Sequence, residues 1–570
     1  MPPKPPETLG TIAYAVQQYT AFSVNNFAPE IILVAGFLLA ILLDALTRRS
    51  KSKQFSIWFA VAVLAIAGIC AALQWHGFDP LHPRDWKPGQ IIFPYSQTLF
   101  APSVHQGMTE GGYGMAVVDN FSVFFKLLVS LAGVLVLLMS LASRELHANP
   151  HRLGEYASLI LGMSVGLYLM PASMDLVMMY ISLELVSIAG YILAGFSRET
   201  QHGAEASLKY ILFGALSSGL MIYGFSLFYG LTGTTNLIGI RQVLALSPAT
   251  HAGANMYILW TATVLAFVGI GYKISAVPFH FWTPDVYEGA PLPVTAFLSV
   301  ASKAAGFGML IRFVTFIFPE SAKTGAPIID WQILVAVGAV LTMTFGNLAA
   351  LLQSNVRRML AYSTVAHAGY MLAALAAALT VHGKVGGIVA IMIYLATYLF
   401  MQLGAFYAVM LIENKIGSEE IDDYRGLVTR TPLVSSAFVI FLISLAGIPL
   451  TAGFIGKFYV LSALLTPDVT RQGIPWLWLG VAVILNSLIS LYYYLRVAGA
   501  MFLKRPLREM AFERIGEPGE TRRIIRYSMP AMVLLLCLLV PVILLGVYFQ
   551  PLVDFASGVV RFFNFQNFRY

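Results

Sequence analysis

Several residues of this chain set a titratable side chain in a long apolar stretch, among them Glu184, Lys209, Lys273, Lys303, His367 and Lys457. A lysine or acid near the centre of a membrane helix costs on the order of 2.5 to 3.5 kcal/mol on insertion scales. Side chains that expensive mark an interior polar path, and the chemistry shared by lysine, carboxylate and imidazole is the uptake and release of protons. Two of the lysines lie near proline: GYKISAVPFHFW carries Lys273 and Pro278, and AGIPLTAGFIGKF carries Pro449 and Lys457. Proline removes a rung of the helical ladder, and a broken helix at membrane depth is tolerated where protein or water satisfies the freed backbone. Such breaks mark ion sites in transporters.

Structural readings compete at each position. Lys209 lies within about two turns of a span end and is able to snorkel to the interface; Lys457 is also nearer an end than the others. Glu184 and Lys303 lie deeper, where the alternative is a buried ion pair that only fixes packing. His367, in AYSTVAHAGY, suits either a proton relay or a hydrogen bond to a neighbouring helix. Asp285 and Glu288, in HFWTPDVYEGAPLP, read as a solvated turn or as a proton entrance.

The elements that hold these residues follow from composition. With 570 residues, 58% hydrophobic, 11% charged and a mean hydropathy of +0.75, the chain is expected to be an all-α polytopic membrane protein. Apolar stretches long enough to span occur near 28–46, 56–75, 119–142, 155–171, 173–196, 206–231, 255–278, 293–317, 332–352, 357–379, 385–412, 433–463, 475–502 and 528–549. The net charge of +7 resides in short clusters between these stretches, which follows the positive-inside rule and not nucleic-acid binding. The basic excess, about two to one, favours the side with Arg48, Arg49, Arg357, Arg358 and 504–526, so both termini are expected on the non-cytoplasmic side. The first span ends in RRSKSK and residues 1–27 lack a basic leader, so no signal peptide is expected. Cys70 and Cys537 lie within spans with no CxxC and no His/Cys cluster, so no metal or redox cofactor is expected in this chain. The loop 77–118 reads as an ordered outer cap.

Four segments follow: 1–154 with three spans and the outer loop, 155–317 with five spans, 332–502 with five spans, and 503–570 with a basic loop, the last span and a tail. An odd number of helices inverts the second five-helix block relative to the first. Each block then carries a broken, lysine-bearing helix in fourth place, the arrangement of inverted repeats with sites near the midplane.

The stretches SLKYILFGALSSGLMIYGFSLFYGLTGTTNL, VPFHFWTPDVYEGAPLPVTAFLSVASKAAGFGMLIRF and NVRRMLAYSTVAHAGYMLAAL closely resemble the N subunit of bacterial NADH:quinone oxidoreductase (complex I), a relative of mitochondrial subunit 2. The resemblance runs from about residue 28 to 549. It implies the antiporter-like fold of fourteen helices. Glu184 matches the family's essential glutamate of helix five and Lys273 its pumping lysine of helix seven, while Lys209, Lys303 and Lys457 match its lysines of helices six, eight and twelve. Sister subunits L and M share this core, as do the large subunits of multisubunit Na⁺(K⁺)/H⁺ antiporters, the alternative reading. The turn TPDVYEGAP, a lysine at 457 where M chains carry glutamate, and an end soon after the last span favour N.

The resemblance further implies a bacterial inner-membrane location, K- and M-type subunits as neighbours, and FMN, iron–sulfur clusters and quinone held by partner subunits. The expected route runs from the cytoplasmic side to Lys273, along Lys303 and His367, and out by Lys457. Two unit charges roughly 6 Å apart interact by about 2.8 kcal/mol at an effective dielectric of about 20. The separation of Glu184 and Lys273 therefore sets how firmly the lysine holds its proton.

Overall fold

A computed structural model describes residues 26–47, 53–75, 97–99, 114–197, 200–246, 253–319, 328–378, 386–466, 476–505 and 525–560. Helices α1 (Ala28–Leu46) and α2 (Gln54–Leu73) precede a two-stranded antiparallel ribbon, β1 (Gln97–Leu99) and β2 (Ala116–Val118), in which Gln97 faces Val118. Then come α3 (Asn120–Ser140), α4 (Leu153–Ala172), α5 (Leu176–Ala194), α6 (Gln201–Thr232), α7 (Ala254–Ile274) and α8 (Leu292–Ile317). The second group is α9 (Trp331–Leu351), α10 (Val356–Ala376), α11 (Gly387–Ile416), α12 in two halves (Pro432–Ala446 and Ala452–Leu465) and α13 (Leu477–Leu503). The chain closes with α14 (Met529–Val547) and a shorter α15 (Gln550–Val560).

Thirteen of these helices are long and apolar enough to cross a membrane, and the chain is a multi-pass membrane protein. At 1.5 Å per residue, a helix of about 20 residues matches a hydrocarbon core of about 30 Å. Burial sorts them into centre and rim. The apolar window of α8 is wholly buried, and those of α10 and α11 are 94% and 89% buried, whereas that of α1 is only 28% buried. A helix apolar all round belongs in the middle of a bundle or against lipid. Accordingly α6 leaves Leu212, Leu216 and Tyr223 exposed on its outer face, while α8, α10 and α11 form the core.

The two spans that carry both a buried lysine and a nearby proline are interrupted and not continuous helices. The stretch read as 255–278 stops at Ile274, because Ser275 takes a left-handed φ of 63°. The residue before proline is pushed out of the helical region, so the chain turns before Pro278 and restarts as a short helix, Trp282–Gly289. The stretch read as 433–463 is divided by Gly447 (φ 85°) and Leu450 (φ 70°), on either side of Pro449. A non-glycine residue at positive φ is costly; Ser275 and Gly447 stand at equivalent places, each directly after the last residue of the helix before the break. A third irregularity was not foreshadowed: Leu298–Ser302 is a π turn inside α8, ending immediately before Lys303. The basic residues Arg48 and Arg49, most of the loop 77–118, nearly all of 504–526 and the tail after 560 lie outside the described residues.

Candidate functional site

Lys273, Lys303, His367 and Lys457 are each at most 5% exposed. Lys273 occupies the last turn of α7, and its Nζ lies 3.4 Å from the Ser187 hydroxyl of α5. The carbonyls freed beside it are taken locally: Trp282 Nε1 donates to the Tyr272 carbonyl at 3.0 Å, and the Ala276 amide donates to Gly271 at 2.8 Å. Glu184 stands one turn before Ser187 on the same face of α5. It is half-buried, with Oε1 buried and unpartnered, and among the described residues it forms no ion pair. Lys273 thus reaches from α7 to the face of α5 that carries the glutamate, without pairing with it.

Lys303 follows the π turn and donates to the Thr364 carbonyl of α10 at 2.8 Å. One turn further along α10, His367 Nδ1 lies 2.6 Å from the Tyr394 hydroxyl of α11, and Nε2 lies 3.2 Å from the Tyr494 hydroxyl of α13. The histidine is therefore both hydrogen-bonded to neighbouring helices and set between two lysines. Tyr370, on the same helix, has its ring 5.7 Å from the imidazole and 4.9 Å from Lys457 Nζ.

Lys457, in the second half of α12, donates to the Ala446 carbonyl at 2.7 Å and to the Ser487 hydroxyl at 2.9 Å. Ala446 ends the first half-helix, so the ammonium caps a carbonyl that the break exposes, where a helix C-terminus favours a cation. Gly447 keeps this contact close: a Cβ there would lie 2.7 Å from Lys457 Cδ.

Lys209 is placed differently. About a third of its side chain is exposed, and it pairs with Glu205 at 2.7 Å and Asp285 at 2.5 Å. Asp285 also receives Arg358 Nη1 at 2.8 Å, and that guanidinium pairs with Glu288 at 2.5 Å. Arg357 beside it pairs with Glu413 and with Glu419 at 3.1 Å, and donates to the Glu288 carbonyl at 3.0 Å. The turn carrying Asp285 and Glu288 is thus built into an ionic network joining α6, α10 and α11, and is not a freely solvated turn. Burial opposes the charge of Asp285, but the hydrogen bonds from Lys209 and Arg358 prevail and hold its carboxyl below the ordinary aspartate value of 3.8.

Two buried ion pairs were absent from the expected set. Lys126, fully buried in α3, pairs with Glu30 of α1 at 2.7 Å. Arg312 of α8 pairs with Asp119 at 2.5 Å and donates to the Pro171 carbonyl at 2.8 Å. The signal for both was in plain sight: a charge in mid-span in FSVFFKLLVS and GMLIRFVTF, of the same kind that singled out Lys303.

The family model for the membrane domain of NADH:quinone oxidoreductases and Mrp antiporters matches residues 173–489. The chain is 42% identical over 546 residues to NADH-quinone oxidoreductase subunit N of Chlorobium chlorochromatii, covering 95% of this chain and 96% of that one. It is 41% identical over 541 residues to subunit N 2 of Chloroherpeton thalassium, with 94% of each covered. Among solved structures it is similar to a chain of respiratory complex I from Thermus thermophilus with bound aureothin. That match has 26% identity and a TM-score of 0.66, and covers 92% of this chain and 98% of that one. A chain of the Mrp complex from a Dietzia species matches with 21% identity and a TM-score of 0.72, over 95% of this chain and 98% of that one, a likeness of fold alone.

Proposed function

Since the chain belongs to the subunit N family of NADH-quinone oxidoreductases, we propose that it carries protons across the membrane along Lys273, Lys303, His367 and Lys457, driven by quinone reduction in other subunits. The observation that carries this reading is the line itself. Three buried lysines and a buried histidine stand on α7, α8, α10 and α12, the first and last of them broken helices, with Ser187, the Thr364 carbonyl, Tyr394, Tyr494 and Tyr370 bonded to them or packed beside them. Deeply buried ionisable groups without carboxylate partners are too costly to serve packing alone. Chains of hydroxyls and ring nitrogens are what proton transfer requires.

In this reading Glu184 is the switch: approach to Lys273 favours the charged ammonium, and retreat favours release of its proton along the line. Lys209 takes part through its bond to Asp285, at the face where the ionic network lies. By the positive-inside rule this reading takes that face as the cytoplasmic one, with both termini opposite, in a bacterial inner membrane. The two halves of α12 count as one discontinuous crossing, giving fourteen, and α4–α8 and α9–α13 form inverted repeats, each with its break and lysine in fourth place. K- and M-type subunits are the expected flanking chains, and flavin, iron–sulfur clusters and quinone belong to partner subunits.

The test is donor-driven proton uptake by the assembled complex in proteoliposomes. Glu184→Ala and Lys273→Ala are expected to abolish uptake while the complex still assembles. Wild-type uptake by an assembled Lys273→Ala complex would overturn the assignment. Sodium-driven currents without any electron donor would point to an independent cation/proton antiporter.

A further inference from the structure

Lys457 is buried, and among the described residues no carboxylate offsets its charge. Its bonds to the Ala446 carbonyl and the Ser487 hydroxyl occupy two of the three N–H groups of the ammonium. The second half of α12, which carries it, packs against α10, α11, α13, α14 and the first half of its own span. The titratable groups gathered around Lys457 and His367 are Tyr370 of α10, Tyr394 and Tyr398 of α11, and Tyr494 of α13 with Tyr493 stacked on it. The first half of α12 contributes none, and α14 only Cys537, which is exposed.

The Tyr370 ring lies over the ammonium, its centroid 4.9 Å from Nζ. A ring face attracts a cation within about 6 Å, most strongly where both are out of water, as both are here. The same ring meets the His367 imidazole edge to face at 5.7 Å, so it borders the histidine of its own helix and the lysine of the next. Its hydroxyl is tied to a pair of amides that the path does not use. Asn347 Nδ2 of α9 donates to that hydroxyl at 3.0 Å and to Asn486 Oδ1 of α13 at 3.2 Å, and Asn347 Oδ1 accepts from the Tyr493 hydroxyl at 3.1 Å. Asn486 Nδ2 donates in turn to Thr344 Oγ1 at 3.1 Å and to the Ala482 carbonyl at 3.0 Å. Both asparagines are buried with every amide atom bonded, and a fully satisfied network holds its members rigidly.

We propose that the Tyr370 ring is what Lys457 has in place of a carboxylate, and that Asn347 and Asn486 are positioning residues that hold the ring over the ammonium. A full negative charge at this point would fix the lysine in its charged form. A neutral ring face steadies the ammonium and leaves it able to give up its proton. Phenylalanine would offer a similar face; what the tyrosine adds is a hydroxyl that gives the ring one fixed place. The break in α12 therefore holds the lysine through the Ala446 carbonyl, while α9 and α13 hold its aromatic partner through the amide pair.

This inference rests on the proton-carrying role of Lys457, and the experiment separates the two. Donor-driven proton uptake by the assembled complex in proteoliposomes is measured against pH. A carrier works only while it holds its proton, so Tyr370→Leu, which removes the ring face, is expected to move the alkaline limb of the profile to lower pH by about half a unit to one and a half units. Tyr370→Phe and Asn347→Leu each free the ring without removing it; both are expected to give the same smaller displacement, and the two combined no more than either alone. Fluorinated phenylalanines at position 370 keep the shape of the ring and withdraw charge from its face. The displacement is expected to grow with each fluorine, which a packing role would not produce. A limb indifferent to fluorination, or unmoved in Tyr370→Leu beside an inactive Lys457→Met, overturns the role of the ring and leaves the main reading intact. Additive effects of Tyr370→Phe and Asn347→Leu overturn the role of the amide pair. Wild-type uptake by Lys457→Met overturns both readings. If Tyr370→Leu fails to assemble, the fluorinated series decides, and if Asn347→Leu fails, Asn347→Ala takes its place.

Discussion

Lys303 Nζ is hydrogen-bonded to the Thr364 main-chain carbonyl at 2.8 Å, which ties the lysine after the π turn of α8 to the helix that carries His367. This bond crosses between the two five-helix groups. A carbonyl satisfies one N–H of an ammonium but brings no opposite charge, so the side chain is held in place without its charge being cancelled.

Lys303→Met tests that balance. Methionine fills similar space and removes a buried, unpaired charge, so thermal stability of the assembled complex is expected to stay level or rise. Donor-driven proton uptake is expected to fall by about 100-fold or more, as when a positioned proton carrier is lost. Loss of stability together with loss of uptake would instead mark Lys303 as a packing residue.

Gly447 offers a test of the second break. Its φ of 85° is unfavourable for any side chain, and an added Cβ would meet Lys457 Cδ at 2.7 Å. Gly447→Ala is expected to cost about 1 to 2 kcal/mol from the backbone alone, and to push Lys457 off the Ala446 carbonyl. Proton uptake should drop by several-fold, and a structure of the variant should show Lys457 Nζ no longer within 3.5 Å of that carbonyl, against 2.7 Å now. An unmoved lysine with normal uptake would mean that the break tolerates a methyl group and the close contact is incidental.

The apolar runs and in-span charges made the helices and their lysines legible, because lipid leaves no other way to satisfy a backbone and penalises every stray charge. Pro278 and Pro449 likewise announced the two breaks. Their exact place was only partly legible: Gly447, just before Pro449, is the residue that favours a left-handed φ, whereas Ser275 and Leu450 take a positive φ that no local preference predicts. Tertiary contact likewise decided the partners. Lys209 reads as a lysine near a span end, able to snorkel, until Asp285, 76 residues away, is brought to it. The π turn before Lys303 and the Glu30–Lys126 pair have no short-range signature beyond the charge itself.

Asp285 gives the ionic network a pH dependence whose sign is fixed. Its carboxyl is held below 3.8 by Lys209 and Arg358, so the native state binds fewer protons than the unfolded chain near that pH. The stability it contributes is present above the unfolded value and is lost as pH falls through the lower native one. Thermal denaturation of the complex between pH 7 and pH 3 is expected to show an acid-side loss that Asp285→Asn diminishes, with a lower melting temperature for the variant at pH 7. Identical acid limbs in the two proteins would mean that Asp285 is not held in its charged form by the network.

The Glu30–Lys126 pair supports the last prediction. Lys126 is wholly buried in α3 and reaches Glu30 at 2.7 Å and Gln74 Oε1 at 3.4 Å, while Glu30 Oε2 is buried without a partner. The pair lies outside residues 173–489, the span matched by the membrane-domain family model. Removing one partner strands the other: Lys126→Ala leaves a buried carboxylate uncompensated, a loss of about 3 to 5 kcal/mol. Neutralising both together, as Glu30→Gln with Lys126→Met, removes the electrostatic problem along with its solution and is expected to recover most of that loss. Thermal inactivation of the assembled complex, compared across wild type, Glu30→Gln, Lys126→Met and the double variant, measures the coupling directly. A double variant whose loss equals the sum of the two single losses would show that the two side chains act independently, and that α1 and α3 are held together through α2, which packs against both, rather than by this bond.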